Sequence, residues 1–208
     1  MKLILPVTAI FLLLTGICIA AEDSFETTSG GITESLLSPD KGDSSGLQSV
    51  EGVWQPLNMR GAPVKKTRSI KVLKKEKGVE VWETVNAPEK RTGGFVNLKI
   101  QFDVNSYTIR QTSYKVLNEL GKALSDPRLR ERIITINGHT DSDGKEKYNV
   151  RLSLNRAGAV KQYLIDQHGI SPDRLKVVGY GESMPLKPNT SKENKQLNRR
   201  VEIVATKE

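Results

Sequence analysis

An arginine in a predicted helix is the residue whose type and position most clearly suggest chemistry. The helix is predicted over residues 145–167, and at about 100° per residue its apolar stripe consists of Tyr148, Leu152, Ala159, Val160 and Tyr163. Arg156 falls in the middle of this stripe, and Asn149 falls close to it. Because an unpaired buried charge is costly, Arg156 must extend to the surface, form an ion pair or contact a ligand.

Asp141 is the predicted partner of Arg156, because it follows a predicted strand and precedes the helix. Ligands commonly bind at the carboxyl ends of strands in folds of alternating strands and helices. An Asp and an Arg on one cleft suit a zwitterion, since the carboxylate accepts from an ammonium group and the guanidinium binds a carboxylate. The spacing alone leaves both a structural ion pair and a ligand site open.

Apolar periodicity predicts the elements that position these two residues. The predicted order is a strand over 95–102, a helix over 111–124, a strand from 133 into 138–141, the long helix ending at Gly169, a strand over 175–181, a polar loop and a strand over 201–205. This order, β-α-β-α-β-(loop or short helix)-β, predicts an α+β fold, an α/β sandwich. Its small mixed sheet is expected to be covered by helices on one face, over residues 94–208.

The N-terminal residues predict export. Lys2 is followed by an uncharged apolar run, so residues 1–20 are interpreted as a signal peptide cut before Ala21, in preference to a retained membrane anchor. Cys18 is interpreted as a small residue near the cut, and lipid attachment there is disfavoured because Ile17 precedes it. Cleavage leaves no cysteine, which excludes disulfides and thiol catalysis.

Two segments separate the signal peptide from the predicted domain. Residues 21–64, with a net charge of −5, are polar and lack apolar periodicity, which predicts an unstructured spacer. Residues 65–93, with a net charge of +5, are predicted to be a basic linker in which a short hairpin can form. Residues 94–208 carry a net charge of +7, and Lys2 supplies the last +1 of the total of +8. Such a surplus attracts nucleic acid, acidic lipid or an anionic wall polymer, and does not choose among them.

Several motifs occur in order over residues 97–204. They are Ile100–Asp103, Gly138–Asp141, Tyr148–Asn149, Leu152–Ser153 with Arg156–Ala157, Gly179–Glu182 with Pro185, and Asn198–Ile203. Together they resemble the OmpA C-terminal-like family, which binds the diaminopimelate of the peptidoglycan stem peptide. The resemblance implies a periplasmic protein associated with the outer membrane or the cell wall. Its implied partners are peptidoglycan and, as further candidates, outer-membrane or other envelope proteins.

The resemblance also implies a role for individual residues. Asp141 matches the family's aspartate for the ligand ammonium group, and Arg156 matches its arginine for the ligand carboxylate. The flanking polar contacts match Asn149 and Arg199, and the positions near the ligand match Thr140 and Asp103. No cofactor or metal is implied, and the oligomeric state is left open.

Three other classes of function compete with this interpretation. An enzyme is disfavoured, because His139 and His168 lack the spacing of a zinc site and no Gly-x-Ser-x-Gly accompanies Ser142 or Ser153. A nucleic-acid binder is disfavoured, because the sequence shows no aromatic stacking platform and no groove-reading motif. The remaining alternative is a protein–protein adaptor with the same fold, in which the Asp–Arg pair is structural.

Overall fold

The structure is a computed structural model, and part of the chain is described here. The described residues are 25, 27–38, 69–76, 78–86, 93–103 and 105–207. The predicted signal peptide and most of the predicted spacer lie outside these residues. None of the helices in the described part is both long and apolar enough to cross a membrane.

A single six-stranded sheet organises the described residues. Its strands are β1 (Ser69–Glu76), β2 (Val79–Asn86), β3 (Gly94–Leu98), β4 (Arg132–His139), β5 (Leu175–Gly181) and β6 (Val201–Lys207). The helices are α1 (Ser29–Leu37), α2 (Tyr114–Leu124), α3 (Glu146–His168) and α4 (Lys192–Asn198), with short 3₁₀ turns at Gln111–Ser113, Pro127–Leu129 and Pro172–Arg174. The strand order is β2-β1-β5-β4-β6-β3, and only β4 and β5 run parallel. This mixed sheet confirms the predicted α+β class.

Helix α3 makes the crossover that joins the two parallel strands, and it lies directly on them. A Cβ on Gly138 would overlap the backbone oxygen of Ser153, and a Cβ on Gly179 would lie 2.5 Å from the Val150 oxygen. Glycine at these positions therefore permits the close packing. The helix ends at Gly169, whose φ of 62° is the left-handed conformation common after a helix terminus.

The predicted apolar stripe of α3 is wrong in its orientation. The buried residues of the helix are Asn149, Val150, Ser153, Leu154, Ala157, Val160 and Leu164, so of the five predicted stripe residues only Val160 is buried. Tyr148 is 46% exposed. The buried face combines small or polar residues, which lie close to the sheet glycines, with the larger Leu154 and Leu164. Arg156 is only half-buried and lies outside this buried face.

Helix α1 corrects the prediction that all of residues 21–64 are unstructured. Thr28 caps it by accepting a hydrogen bond from the Gly31 amide at 3.2 Å. Ile32 and Leu36, one helical turn apart, are fully buried within the common core. Two apolar residues in a polar stretch are too few to produce a recognisable period, although they are enough to dock one turn of helix.

The hairpin of β1 and β2 is part of the sheet. β1 pairs with β5 in antiparallel register, with Leu73 opposite Gly179. On the face away from α3, Ile70 and Val72 form a second apolar cluster with Val178. The sheet thus extends before residue 94, where the sequence placed the start of the domain. Docking against β5 supplies the burial that an isolated hairpin lacks.

Replacing Leu36 by alanine tests the docking of α1. We expect Leu36→Ala to lower the free energy of unfolding by about 2–5 kcal/mol, because the side chain is fully buried. Gly30→Ala is the control: a Cβ there meets nothing within 4 Å, so the change is expected within about 0.5 kcal/mol. Chemical denaturation measures both variants. Equal stability of the two variants would contradict the docked position of α1.

Candidate functional site

Asp141 lies just beyond the carboxyl end of β4, and it is paired with an arginine. Its side chain is buried, and one carboxylate oxygen accepts a hydrogen bond from the Asp143 amide at 3.1 Å. The other oxygen accepts from Nη1 of Arg199, which follows α4. Within the described residues, the ion pair of Asp141 is therefore with Arg199 and not with Arg156, the candidate partner named from the sequence. Arg199 reaches Asp141 because the short helix α4 and a turn precede β6. The apolar periodicity of the sequence does not predict this arrangement.

Arg156 is held on the same side of the molecule by different contacts. Its Nε donates to the backbone oxygen of Ser106 at 3.1 Å, and its guanidinium carbon lies 5.0 Å from the centre of the Phe102 ring. Within the described residues, no atom accepts a hydrogen bond from either terminal guanidinium nitrogen, Nη1 or Nη2. Burial lowers the pKa of Arg156, while the Asp141 carboxylate nearby acts in the opposite direction.

A cavity of about 180 Å³ separates these groups from β3. It is lined by Lys99, Ile100, Gln101, Phe102, Arg110, His139, Arg156, Gln196, Arg199 and Arg200. Five of these residues are Lys or Arg, and none is acidic. Asp141 lies behind one wall of the cavity, where Arg199 contacts it. The cavity suits a ligand with an anionic group whose cationic group reaches Asp141.

Asn149 and Thr140 stabilise the loop that carries Asp141. The buried Asn149 side chain donates to the Asp141 backbone oxygen at 3.3 Å and to the Glu182 carboxylate at 2.6 Å. The Thr140 amide donates to the Gly181 oxygen at 2.9 Å. The buried Thr140 hydroxyl has no hydrogen-bond partner in the described part of the chain. Asn149 thus contacts the site through the backbone rather than by lining the cavity.

Asp103 is an exposed residue of the loop that holds Arg156. Its carboxylate accepts from Nε of Arg110 at 3.1 Å, and its backbone pairs with Thr108 and Ser106 at 3.1 Å each. These bonds close the turn that presents the Ser106 oxygen to Arg156. Of the predicted site residues, Asp141 is therefore paired with Arg199, and Arg199 and Arg156 line the same cavity. Asn149, Thr140 and Asp103 belong to the loops and the helix that hold these three residues.

Sequence reasoning missed several residues of the cavity. Lys99 is a polar position inside the first predicted strand, Arg110 directly precedes the first predicted helix, and Arg200 lies inside a quoted motif. Phe102 was the final apolar residue of the alternating pattern, which could have indicated a side chain at the end of the sheet. Ser106 and Arg156 are 50 residues apart in sequence, so their contact leaves no local signal.

Ser153 and His139, two residues considered above for an enzyme, make contacts that stabilise the fold. The Ser153 hydroxyl donates to the Val150 oxygen at 2.8 Å and accepts from the Gly181 amide at 2.9 Å. His139 is buried and its ring stacks on that of Tyr180, with centroids 5.3 Å apart. Ser153 therefore fastens α3 to the end of β5.

Comparison with known proteins agrees with this geometry. Residues 101–199 match the model of the OmpA family. The match covers just under half of the chain, and these residues are similar to the OmpA family. The match contains Asp141, Arg156 and Arg199 and leaves out α1 and the β1–β2 hairpin.

The chain is also similar to proteins named for the outer membrane or for peptidoglycan binding. It is 36% identical over 107 residues to outer membrane porin F of Pseudomonas aeruginosa, covering 51% of this chain and 30% of porin F. It is 37% identical over 116 residues to the peptidoglycan-binding protein ArfA of Mycobacterium tuberculosis, covering 54% of this chain and 32% of ArfA. The chain thus spans about a third of the length of these relatives.

The fold is also similar to that of a solved periplasmic domain. The periplasmic domain of Helicobacter pylori MotB is 27% identical and superimposes with a TM-score of 0.51. That superposition covers 60% of this chain and 79% of the MotB domain.

Replacing Asn149 by alanine tests its role in fixing the Asp141 loop. We expect Asn149→Ala to lower the free energy of unfolding by about 1–3 kcal/mol, since it removes two hydrogen bonds and leaves buried acceptors unsatisfied. Asn155→Ala on the same helix is the matched control, because it gains the same helix propensity and loses no side-chain hydrogen bond of the described residues. Thermal or denaturant unfolding distinguishes them. A smaller loss for Asn149→Ala than for Asn155→Ala would contradict this role.

Proposed function

We propose that this chain binds peptidoglycan non-covalently, through the diaminopimelate of the stem peptide, and so links the cell envelope to the wall. The observation that carries the proposal is the guanidinium of Arg156. Its two terminal nitrogens have no acceptor among the described residues, and they adjoin a basic cavity beside Asp141. The free end of diaminopimelate carries an ammonium and a carboxylate on one carbon, which suits an Asp and an Arg at one site.

In this mechanism, the ligand carboxylate binds donors of Arg156 that have no acceptor among the described residues, and the ligand ammonium exchanges with the ion pair of Asp141. The ligand carboxylate accepts from Nη1 and Nη2 of Arg156, whose charged form is disfavoured by burial. The ligand ammonium donates to Asp141, and Arg199 then shares or leaves that carboxylate. Since one ion pair is exchanged for another, capture is reversible and involves no covalent step.

The family and the relatives support the wall as the target. ArfA is named a peptidoglycan-binding protein, and porin F is an outer-membrane protein. We place the chain in the periplasm, associated with the outer membrane or the wall, in keeping with the predicted export signal. The role is binding rather than catalysis.

A protein–protein adaptor is the second candidate. The observation that favours it is that Asp141 is paired with Arg199 within the chain, as in a purely structural ion pair. In that case the Asp141 loop would serve the fold alone, and the surface would bind another envelope protein.

Co-sedimentation with two kinds of purified peptidoglycan tests the proposal. Lysine-type walls have the same stem ammonium but lack the adjacent carboxylate of diaminopimelate. We expect the full chain to bind diaminopimelate-type walls at least about tenfold more tightly, equivalent to about 1.4 kcal/mol. Arg156→Ala should abolish this preference, and Asp141→Asn should weaken binding to both walls.

Arg151→Ala is the matched control for Arg156→Ala. Arg151 is an exposed arginine on the same helix, 3.4 Å from Glu80, so its loss removes an equal charge away from the cavity. Circular dichroism confirms that each variant is folded. If folded Asp141→Asn and Arg156→Ala proteins bind both walls like the unaltered chain, the ligand site is refuted and the adaptor is favoured.

A further inference from the structure

A second and larger groove lies on the other side of the Asp141 loop. Its volume is about 570 Å³, within the usual range for small-ligand sites. It is lined by Ile70, Lys71, Trp82, Glu83, Thr84, Glu146, Lys147 and Ser183. The β1–β2 hairpin forms one wall, and the first turn of α3 and the loop after β5 form the others. The hairpin lies outside the residues that match the OmpA family.

Trp82 is the most informative residue of this groove. Its side chain is 45% exposed, although a tryptophan ring is a large apolar surface that folding normally covers. Around it the groove carries hydroxyls of Thr84 and Ser183 and the charged groups of lysine and glutamate side chains. An apolar plate surrounded by hydrogen-bonding groups matches a pyranose ring, which has C–H groups on its faces and polar groups at its edge.

The charge of the groove differs from that of the cavity beside Arg156. Its lining residues include Lys71, Lys147 and Glu146, so both signs of charge are present and the excess is a single positive charge. Glu83 does not add to this count, because its side chain, like that of Val81, lies on the opposite face of β2, where it pairs with Lys74. The cavity beside Arg156 holds five basic residues and no acidic one, so it attracts a polyanion far more strongly than this groove does. A neutral, hydroxyl-bearing ligand is the class that fits it.

The two sites open at the same end of the sheet. Gly179 of β5 is opposite both Leu73 of β1 and Gly138 of β4, so the start of β1 and the end of β4 lie together. The groove borders β1 and the cavity borders β6, which are three strands apart in the sheet order, or about 14 Å. Asn149 bridges the two sites by donating to the Asp141 backbone and to Glu182, the residue before Ser183.

We propose that this groove binds the glycan strand of peptidoglycan, with an N-acetylated amino sugar stacked on Trp82. The proposal rests on the proposed function, because it is the wall polymer that brings sugars to this end of the sheet. Glycan and stem peptide are covalently joined, so binding of one raises the effective concentration of the other at its site. Each site then needs only modest affinity by itself.

Tryptophan fluorescence tests the glycan site directly. The chain has two tryptophans, and Trp54→Phe leaves Trp82 as the single reporter. We expect a tetramer of N-acetylglucosamine to change Trp82 emission with saturation. Isothermal titration should show that Trp82→Ala weakens binding of this tetramer at least about tenfold. Val81→Ala is the matched control, since Val81 is 47% exposed and its side chain lies on the opposite face of β2.

Glycan strands stripped of their stem peptides separate this proposal from the one above. We expect them to bind the full chain and Asp141→Asn alike, and to lose affinity for Trp82→Ala. If the tetramer leaves Trp82 emission unchanged and stripped strands are not retained, the glycan groove is refuted. Intact walls that still require Asp141 and Arg156 would then leave the stem-peptide site standing. Loss of intact-wall binding only in the stem-peptide variants, with Trp82→Ala unaffected, would likewise refute the glycan site.

Discussion

The close contact of α3 with β4 and β5 is the constraint on which the site depends. Gly138 and Gly179 leave no space for a side chain between strand and helix, and the Ser153 hydroxyl fastens the helix to the Gly181 amide. Asn149 and Arg156 lie on this helix, before and after Ser153. A larger residue at either glycine would displace the helix, and a shift of about 1 Å is enough to spoil a site that depends on hydrogen-bond geometry.

The energetics of Arg156 bear on the proposed binding of a ligand carboxylate. The guanidinium is partly removed from water, and burial lowers its pKa by disfavouring the charged form. The Phe102 ring and the Ser106 oxygen compensate for part of that loss. The terminal nitrogens remain without a protein acceptor in the described residues. Because arginine stays protonated, a carboxylate from outside stabilises it more than water does in this setting.

Local sequence patterns predicted most strands and helices of residues 94–208 and the position of Asp141 after a strand. They did not predict how these elements pack against one another. The strands β3 to β6 and α3 followed from periodicity, whereas the orientation of α3 did not, because the small or polar residues Asn149, Ser153 and Ala157 lie on its buried face beside the buried leucines and valines. The Asp141–Arg199 pair joins residues 58 positions apart, and the pattern of neither segment records it. Helix α1 and the docked hairpin depend on contacts with distant partners in the same way.

The Asp141–Arg199 pair also limits how tightly a single site can bind. Arg199 neutralises the buried carboxylate of Asp141, so a ligand ammonium would gain only the difference between two ion pairs. That difference is small when both partners are well placed. Strong attachment to a repeating polymer does not need a large gain at one site, because linked weak contacts combine through effective concentration. The two proposed sites, an ion-pair exchange and an aromatic groove, would therefore suit attachment that can be released locally while the chain stays near the polymer.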